Sequence, residues 1–296
     1  MSDSFEKSDL FAHQFFAKVA PNFFVADAPK VFRGGARRFA YYTTAETALK
    51  LIQNKKIWLR NCTLMNDISE VRHGVDATYN AFNGEAGAER LRLIRAAAPY
   101  FANILESFYR SGEADKAIGE SYVMSLTSHL PRESHLGRLS MWRAYGGASG
   151  VALIFNSKAF LSSSQNPGIF SGVVNYLSPP QLVAELDGII DRLRQYKEEL
   201  DLIDPHLQDN YFKMIIAAAS IFVKHEGFKE EREYRVFSSP LVRGGGLVSY
   251  DTAIIRGIPQ RVIKIPLAKV IEGSNQSSIL NDLLEGVIIG PTVSPQ

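Results

Sequence analysis

The sequence predicts an α+β protein built on a mixed or antiparallel β-sheet with helical insertions. Short runs rich in β-branched and aromatic residues, such as those that begin at Ile57, Gly150 and Glu233, are typical of strands. Longer stretches with apolar residues at helical spacing lie at about 75–118 and 179–225. Because the helices are grouped in these stretches, the order does not match a doubly wound parallel sheet.

The domain organisation follows from the same pattern. Residues 1–35 are predicted to form an N-terminal helical extension, in which Asp9 caps a short helix. The Gly34–Gly35 pair marks the boundary, and residues 36–296 are expected to form a single α+β domain.

Each element of that domain has a local signal. The run from Phe39 predicts a first strand, and Thr44 is a suitable cap for the helix that follows it. Pro99 should divide the first helical stretch, and Pro205 the second. The other predicted elements are strands at 57–60, 121–127, 150–155, 173–176, 233–237, 262–265 and 287–290 and a short helix at 139–145.

Composition limits the classes of function. The chain carries 33 basic and 31 acidic residues, so a general polyanion-coating role is not expected. The basic stretch from Arg33 to Arg38 remains open as a local contact or a solvated turn. A single cysteine, Cys62, allows no intrachain disulfide and fits a reducing compartment. With no secretory signal and no membrane-length apolar run, a cytoplasmic protein is expected.

The sequence lacks the motifs that define the common dehydrogenases, kinases and hydrolases. The chain has neither a Gly-x-Gly-x-x-Gly turn after a strand nor a phosphate-binding loop that ends in Gly-Lys-Ser/Thr. It has no Gly-x-Ser-x-Gly nucleophile elbow. The six histidines are not paired at metal-ligand spacing, so no metal is expected.

Four segments nevertheless carry polar and aromatic residues that strand and helix formation do not require. In order and spacing they resemble the bacterial DUF2971 family, over roughly residues 39–291. The first motif carries Tyr41 where the family usually has histidine. The matching residues are Tyr41–Thr44, Asn66, Asp67, Glu70, Met124, Ser125, Met141, Trp142, Tyr145, Gly150, Glu231, Glu233, Tyr234, Arg235 and Ile288–Pro291.

The arrangement also resembles, more distantly, the ADP-ribosyltransferase fold. That resemblance implies an enzyme that cleaves NAD, its substrate, at the nicotinamide glycosidic bond and transfers ADP-ribose to a protein or nucleic acid. A bacterial toxin or phage-defence effector would use such chemistry. The implied catalytic residues are Glu233, Glu231 and Tyr145, and the implied cofactor-binding residues are Tyr41, Thr43, Ser125, Trp142, Asn66 and Asp67.

Residue chemistry agrees with these roles. Breaking a glycosidic bond creates an oxocarbenium-like transition state, which a carboxylate stabilises without a metal. Residues two apart in a strand share a face, so Glu231 and Glu233 are expected to point into one cleft. Glu233 would stabilise the cation, and Glu231 would orient or deprotonate the acceptor.

Two alternatives stay open. The Glu231–Arg235 segment also fits an exposed strand with cross-strand ion pairs, and Trp142 and Tyr145 also fit a core. With Tyr41 in place of the family histidine, the chain would be a non-catalytic module on the same fold that binds a nucleotide or a partner. Alternatively, it is an NAD-consuming hydrolase that uses water as its acceptor.

Overall fold

A computed structural model describes residues 2–23, 38–65, 68–110, 112–156, 169–239, 250–255, 257–267 and 279–291. Helices and strands both contribute extensively, so the predicted α+β class is confirmed. The helices are α1 Ser2–Val19, α2 Ala45–Asn54, α3 Ile68–Ala81, α4 Gly84–Ala97, α5 Pro99–Arg110, α6 Glu113–Gly119, α7 Leu139–Met141, α8 Pro179–Gln195, α9 Lys197–Asp201, α10 Pro205–Ile221 and α11 Ile279–Leu283.

One large sheet organises the described residues. The strands are β1 Arg38–Thr44, β2 Lys56–Asn61, β3 Tyr122–His129, β4 Gly150–Asn156, β5 Phe170–Val173, β6 Asn175–Tyr176, β7 Val223–Lys224, β8 Glu233–Ser238, β9 Tyr250–Ile255, β10 Ile258–Pro266 and β11 Leu284–Ile289. The central path of the sheet runs β11-β4-β1-β3-β2-β10-β9, with β8 paired to β3 and β5, and its pairs are antiparallel. A short parallel pair, β6 and β7, lies beside it.

Strand alternation divides the core between two sides of the sheet. On β3, Met124 and Leu126 pack into one apolar cluster, whereas Val123, which precedes Met124, packs against the helices on the other side. The helical cluster includes α1, whose Phe16 stacks on Tyr211 of α10 with ring centroids 4.9 Å apart. The longer helices therefore cover one side of the sheet, whereas α2 packs on the other side through Ala48 and Leu51.

Several local predictions are confirmed. Thr44 ends β1 and caps α2, since its side-chain oxygen accepts a hydrogen bond from the N–H of Thr47. Pro99 starts a new helix, and Pro205 starts α10 behind the capping Asp204. Among the described residues, no helix combines the length and apolar character that a membrane crossing requires.

Candidate functional site

A cavity of about 300 Å³ opens where two strands of the sheet diverge. Strands β1 and β2 both pair with the same edge of β3, but at opposite ends of it. β1 reaches Thr127–His129 and β2 reaches Tyr122–Val123, so neither pairs with Met124–Leu126. The open edge of β3 forms part of the cavity wall.

The cavity brings together most of the residues that the sequence singled out. Tyr41 and Thr43 come from β1, Ser125 from the open edge of β3, and Tyr145 from the turn before β4. Both carboxylates also line it. The full wall comprises Ala40–Thr44, Glu46, Thr47, Trp58, Arg60, Met65, Val123–Leu126, Met141, Tyr145, Ser149, Glu231, Glu233, Ile254 and Ile255.

The two glutamates converge for a reason other than the predicted one. The expectation that both lie in one strand is wrong, because Glu231 is the last residue of a 3-10 helix and only Glu233 belongs to β8. Arg232 between them has a left-handed backbone with a φ of 47°. That turn, rather than strand alternation, directs both carboxylates to one side.

The converging carboxylates share one cation. Nζ of Lys224 lies 2.8 Å from Oε2 of Glu231 and 3.1 Å from Oε2 of Glu233. Arg235 holds Glu233 from the other side, with Nε 2.7 Å from Oε1 and its NH2 nitrogen 3.1 Å from Oε2. The four side chains, two acidic and two basic, form a charge-balanced group that we call the ion cluster.

Glu233 is the enclosed member of the ion cluster. Its side chain is 4% exposed, and each of its oxygens accepts from Arg235. Burial alone would raise the pKa of Glu233, but the charges of Arg235 and Lys224 outweigh burial and hold this pKa at about 2. Glu233 is therefore a fixed anion at neutral pH.

Glu231 is the more open member. Its side chain is 13% exposed, and Lys224 binds its Oε2. Its Oε1 faces the Tyr145 hydroxyl, which donates across a long 3.4 Å. Of the two carboxylates, Glu231 is the one that a ligand in the cavity reaches more readily.

Arg138 fixes the backbone at Glu231. It donates to the Glu231 carbonyl over 3.0 Å, and the Thr127 hydroxyl donates to the same oxygen. Arg138 is itself buried and paired with Glu133. Because the pair is buried and makes several hydrogen bonds, it can hold the turn at Glu231 rigidly.

Tyr145 owes its position to a close packing of glycines. It lies in a π-helical turn, Trp142–Gly146, of a kind often found at functional sites. A Cβ on Gly150 would lie 2.6 Å from the Cα of Gly146, so the start of β4 must be glycine for the turn to pack there. The N–H of Gly290 closes the arrangement by donating to the Gly150 carbonyl over 2.7 Å.

The remaining predicted ligand contacts have different outcomes. Desolvation raises the pKa of Tyr41, so its phenol stays protonated and able to donate. Trp142, by contrast, lies in the core: it is 7% exposed, and its indole N–H donates to the Leu136 carbonyl. The structure therefore places Trp142 in the core and not, as was predicted, where it could contact a ligand in the cavity. Asn66 and Asp67 lie outside the described residues.

Three residues of the site were not predicted from the sequence. Lys224 lies behind the carboxylates, and Trp58 and Arg60 of β2 line the cavity. The buried indole N–H of Trp58 has no hydrogen-bond partner among the described residues. The alternation of side chains along β2 could have identified Trp58 and Arg60. It turns them away from the face that buries Ile57 and Leu59.

Metal ligation has no visible basis in the described part of the chain. No group of three or more His, Cys, Asp or Glu side chains there is placed to hold an ion. The carboxylates at the cavity are instead compensated by Lys224 and Arg235.

Fold and cavity together define an α+β protein with an aromatic, charged cleft at a split in its sheet. The family model DUF2971, described as a protein of unknown function, matches residues 141–236. This match confirms the DUF2971 assignment made from the motifs, across the segment that carries Tyr145, Lys224 and both glutamates. Comparison with curated proteins and with solved structures gave no match.

Proposed function

We propose that this protein is an ADP-ribosyltransferase-like enzyme that cleaves NAD at its nicotinamide glycosidic bond. The observation that carries the proposal is the convergence of Glu231, Tyr145 and Tyr41 on one cavity. A carboxylate beside aromatic and hydroxyl groups suits an oxocarbenium-like transition state. The resemblance to ADP-ribosyltransferases, which rests on the same residues, supports this choice among glycosyl-transfer reactions.

In the proposed reaction, Glu231 takes the role that the sequence suggested for Glu233. The bond between the ribose anomeric carbon and the nicotinamide nitrogen breaks, and its electron pair leaves with nicotinamide. Glu231 stabilises the resulting cation, and an acceptor oxygen or nitrogen then bonds to the anomeric carbon and loses its proton to solvent water. Glu233 contributes by neutralising Lys224 and Arg235, because its own oxygens already accept from Arg235.

The cavity also offers groups that suit the nicotinamide ring. Tyr41 and Tyr145 provide aromatic surface on which a planar ring can stack. The unpaired edge of β3 at Met124–Leu126 offers backbone hydrogen bonds of the kind that a carboxamide requires. A volume of about 300 Å³ lies at the lower end for ligand sites and suits one end of a dinucleotide.

A second candidate is a non-catalytic nucleotide-binding module. The observation that favours it is the enclosure of Glu233, since a carboxylate held by Arg235 and Lys224 is a structural ion pair in many proteins. A third outcome, hydrolysis of NAD by water, uses the same residues and differs only in the acceptor.

The test is product analysis with NAD labelled in its adenylate part. Purified protein is incubated with labelled NAD, with and without cell lysate, and nicotinamide, free ADP-ribose and labelled macromolecules are measured. Nicotinamide release with label on protein or nucleic acid supports the transferase, and free ADP-ribose alone identifies a hydrolase. Binding of NAD by calorimetry without nicotinamide release supports the binding module, and absence of both binding and release refutes the proposal.

A further inference from the structure

The ion cluster contains a lysine whose burial is unusual. Lys224 is 1% exposed, and its ammonium group lies behind both carboxylates, away from the cavity wall. A buried ammonium is costly unless its charge is compensated. Here Glu231 and Glu233 compensate it, and the Phe228 ring lies 4.7 Å from Nζ.

The backbone around Lys224 is held by the neighbouring segment that contains β6. β7, which carries this lysine, pairs in parallel with β6, where Tyr176 is opposite Lys224. The Lys224 carbonyl accepts from the N–H of Leu177 over 3.0 Å. A lysine on such a fixed base can hold a carboxylate in one orientation, which a mobile surface lysine cannot do.

The two carboxylates are bound unequally. Arg235 and Lys224 together occupy both oxygens of Glu233, whereas Lys224 binds Oε2 of Glu231 and leaves its Oε1 directed at Tyr145. We infer that Lys224 is a positioning residue, which fixes the orientation and negative charge of Glu231 from behind the cleft and turns its second oxygen towards a ligand. The inference rests on the proposed function for the identity of that ligand, NAD.

The charge balance gives the inference a measurable consequence. Lys224 and Arg235 offset the two glutamates, so loss of Lys224 leaves one uncompensated negative charge in a mostly buried group. Two neighbouring carboxylates with too little positive charge take up a proton more readily. Other polar groups that face the pair are Tyr145 on the π-helical turn, Tyr176 on β6, Ser125 on β3, which faces Glu233, and Arg138, which binds the Glu231 carbonyl.

The first experiment needs no substrate. In full-length protein with ¹³C-labelled glutamate side chains, the carboxylate pair is titrated by NMR in wild type, Lys224→Met, Lys224→Arg and Lys213→Met, with Glu231→Gln for assignment. Lys213 is the matched control, because it binds Asp209 over 2.7 Å in a half-exposed ion pair on α10. In Lys224→Met the pair should take up its first proton at least about one pH unit higher than in wild type. Lys224→Arg and Lys213→Met should stay near wild type, and an unshifted Lys224→Met would overturn the inference.

Two further measurements separate positioning from stability. The first is the pH dependence of the rate of nicotinamide release. In Lys224→Met the fall of this rate in acid should begin at a higher pH than in wild type, and in Lys224→Arg it should begin at the wild-type pH. A loss of rate at all pH values, with no change in the pH at which the fall begins, contradicts the inference.

The second measurement applies if Lys224→Met does not fold. The double variant Lys224→Met with Glu231→Gln should then fold, because it restores the charge balance. Failure of the double variant to recover any stability also contradicts the inference. Absence of nicotinamide release by wild type refutes the proposed function, while the substrate-free titration still decides the role of Lys224.

Discussion

Glu231 and Glu233 bind the same ammonium group, with Oε2 of each carboxylate within 3.1 Å of Nζ of Lys224. The left-handed turn at Arg232 makes this possible, because it joins a 3-10 helix to β8 between the two glutamates. The two carboxylates have different roles: Glu233 stabilises the ion cluster, and Glu231 faces the cavity.

Truncation of Glu233 is expected to destabilise the fold strongly. Glu233→Ala leaves Arg235 and Lys224 buried without their shared anion, which typically costs about 3–5 kcal/mol. The free energy of unfolding from urea titration measures this loss. Asp209→Ala breaks a half-exposed ion pair of similar length and should cost less than about 1 kcal/mol. Equal losses in the two variants would show that the ion cluster contributes no special stability.

Stability should also fall in acid because of Glu233. Its folded pKa of about 2 lies below the usual value of a glutamate in an unfolded chain, so the folded state binds a proton less readily. The resulting stabilisation is complete above about pH 4.5 and is lost as the pH falls towards 2. Melting temperatures between pH 2 and 7 measure this slope. The slope should be shallower in Glu233→Gln, with the remainder due partly to Glu133, whose pKa is also lowered. Identical slopes in wild type and variant would contradict the assignment.

Substitution of Gly150 should displace Tyr145. In Gly150→Ala the new methyl group meets the backbone of Gly146, which cannot move without shifting the π-helical turn. The expected result is a loss of about 1–3 kcal/mol, as in overpacked cores, with weaker nucleotide binding. Gly119→Ala is the control, since no atom lies within 4 Å of its added Cβ. If Gly150→Ala and Gly119→Ala have the same stability and affinity, the close packing at Gly150 does not hold Tyr145 in place.

Removal of the Tyr41 hydroxyl should weaken NAD binding modestly. The phenol lines the cavity and remains protonated, so Tyr41→Phe removes one donor, worth about 1 kcal/mol or roughly a fivefold rise in Kd. Calorimetry measures the change. Tyr79→Phe alters an exposed tyrosine outside the cavity and should leave the Kd unchanged. A Kd for Tyr41→Phe equal to that of wild type would remove Tyr41 from the site.

Much of the fold follows from local sequence patterns. The strand at 150–155, the cap at Thr44 and the helix break at Pro99 depend on interactions within a few residues, and the structure agrees with each of them. The pairing order of the strands does not follow in this way, because it depends on contacts between distant segments. The split of β1 and β2 on β3, which opens the cavity, is such a feature.

The candidate site, too, could be predicted from the sequence only in part. Spacing singled out Glu231 and Glu233, but strand periodicity gave the wrong backbone for Glu231, since one left-handed residue interrupts the strand. Lys224 could not be recognised, because a lysine in a sequence is usually an exposed one and its burial depends on the glutamates that compensate it. Trp142 matched a family motif, yet neighbouring side chains bury it in the core.

The rate of nicotinamide release from saturating NAD tests whether Glu231 acts on NAD in the cavity. Glu231→Gln keeps the shape of the side chain and removes its charge, and Glu230→Gln is the exposed neighbouring control. Release by Glu231→Gln is expected to fall at least about 100-fold, as when a stabilising group for the transition state is removed, with little change in the Kd for NAD. Release by Glu230→Gln should equal that of wild type. A Glu231→Gln variant that is folded and releases nicotinamide as fast as wild type would contradict the account.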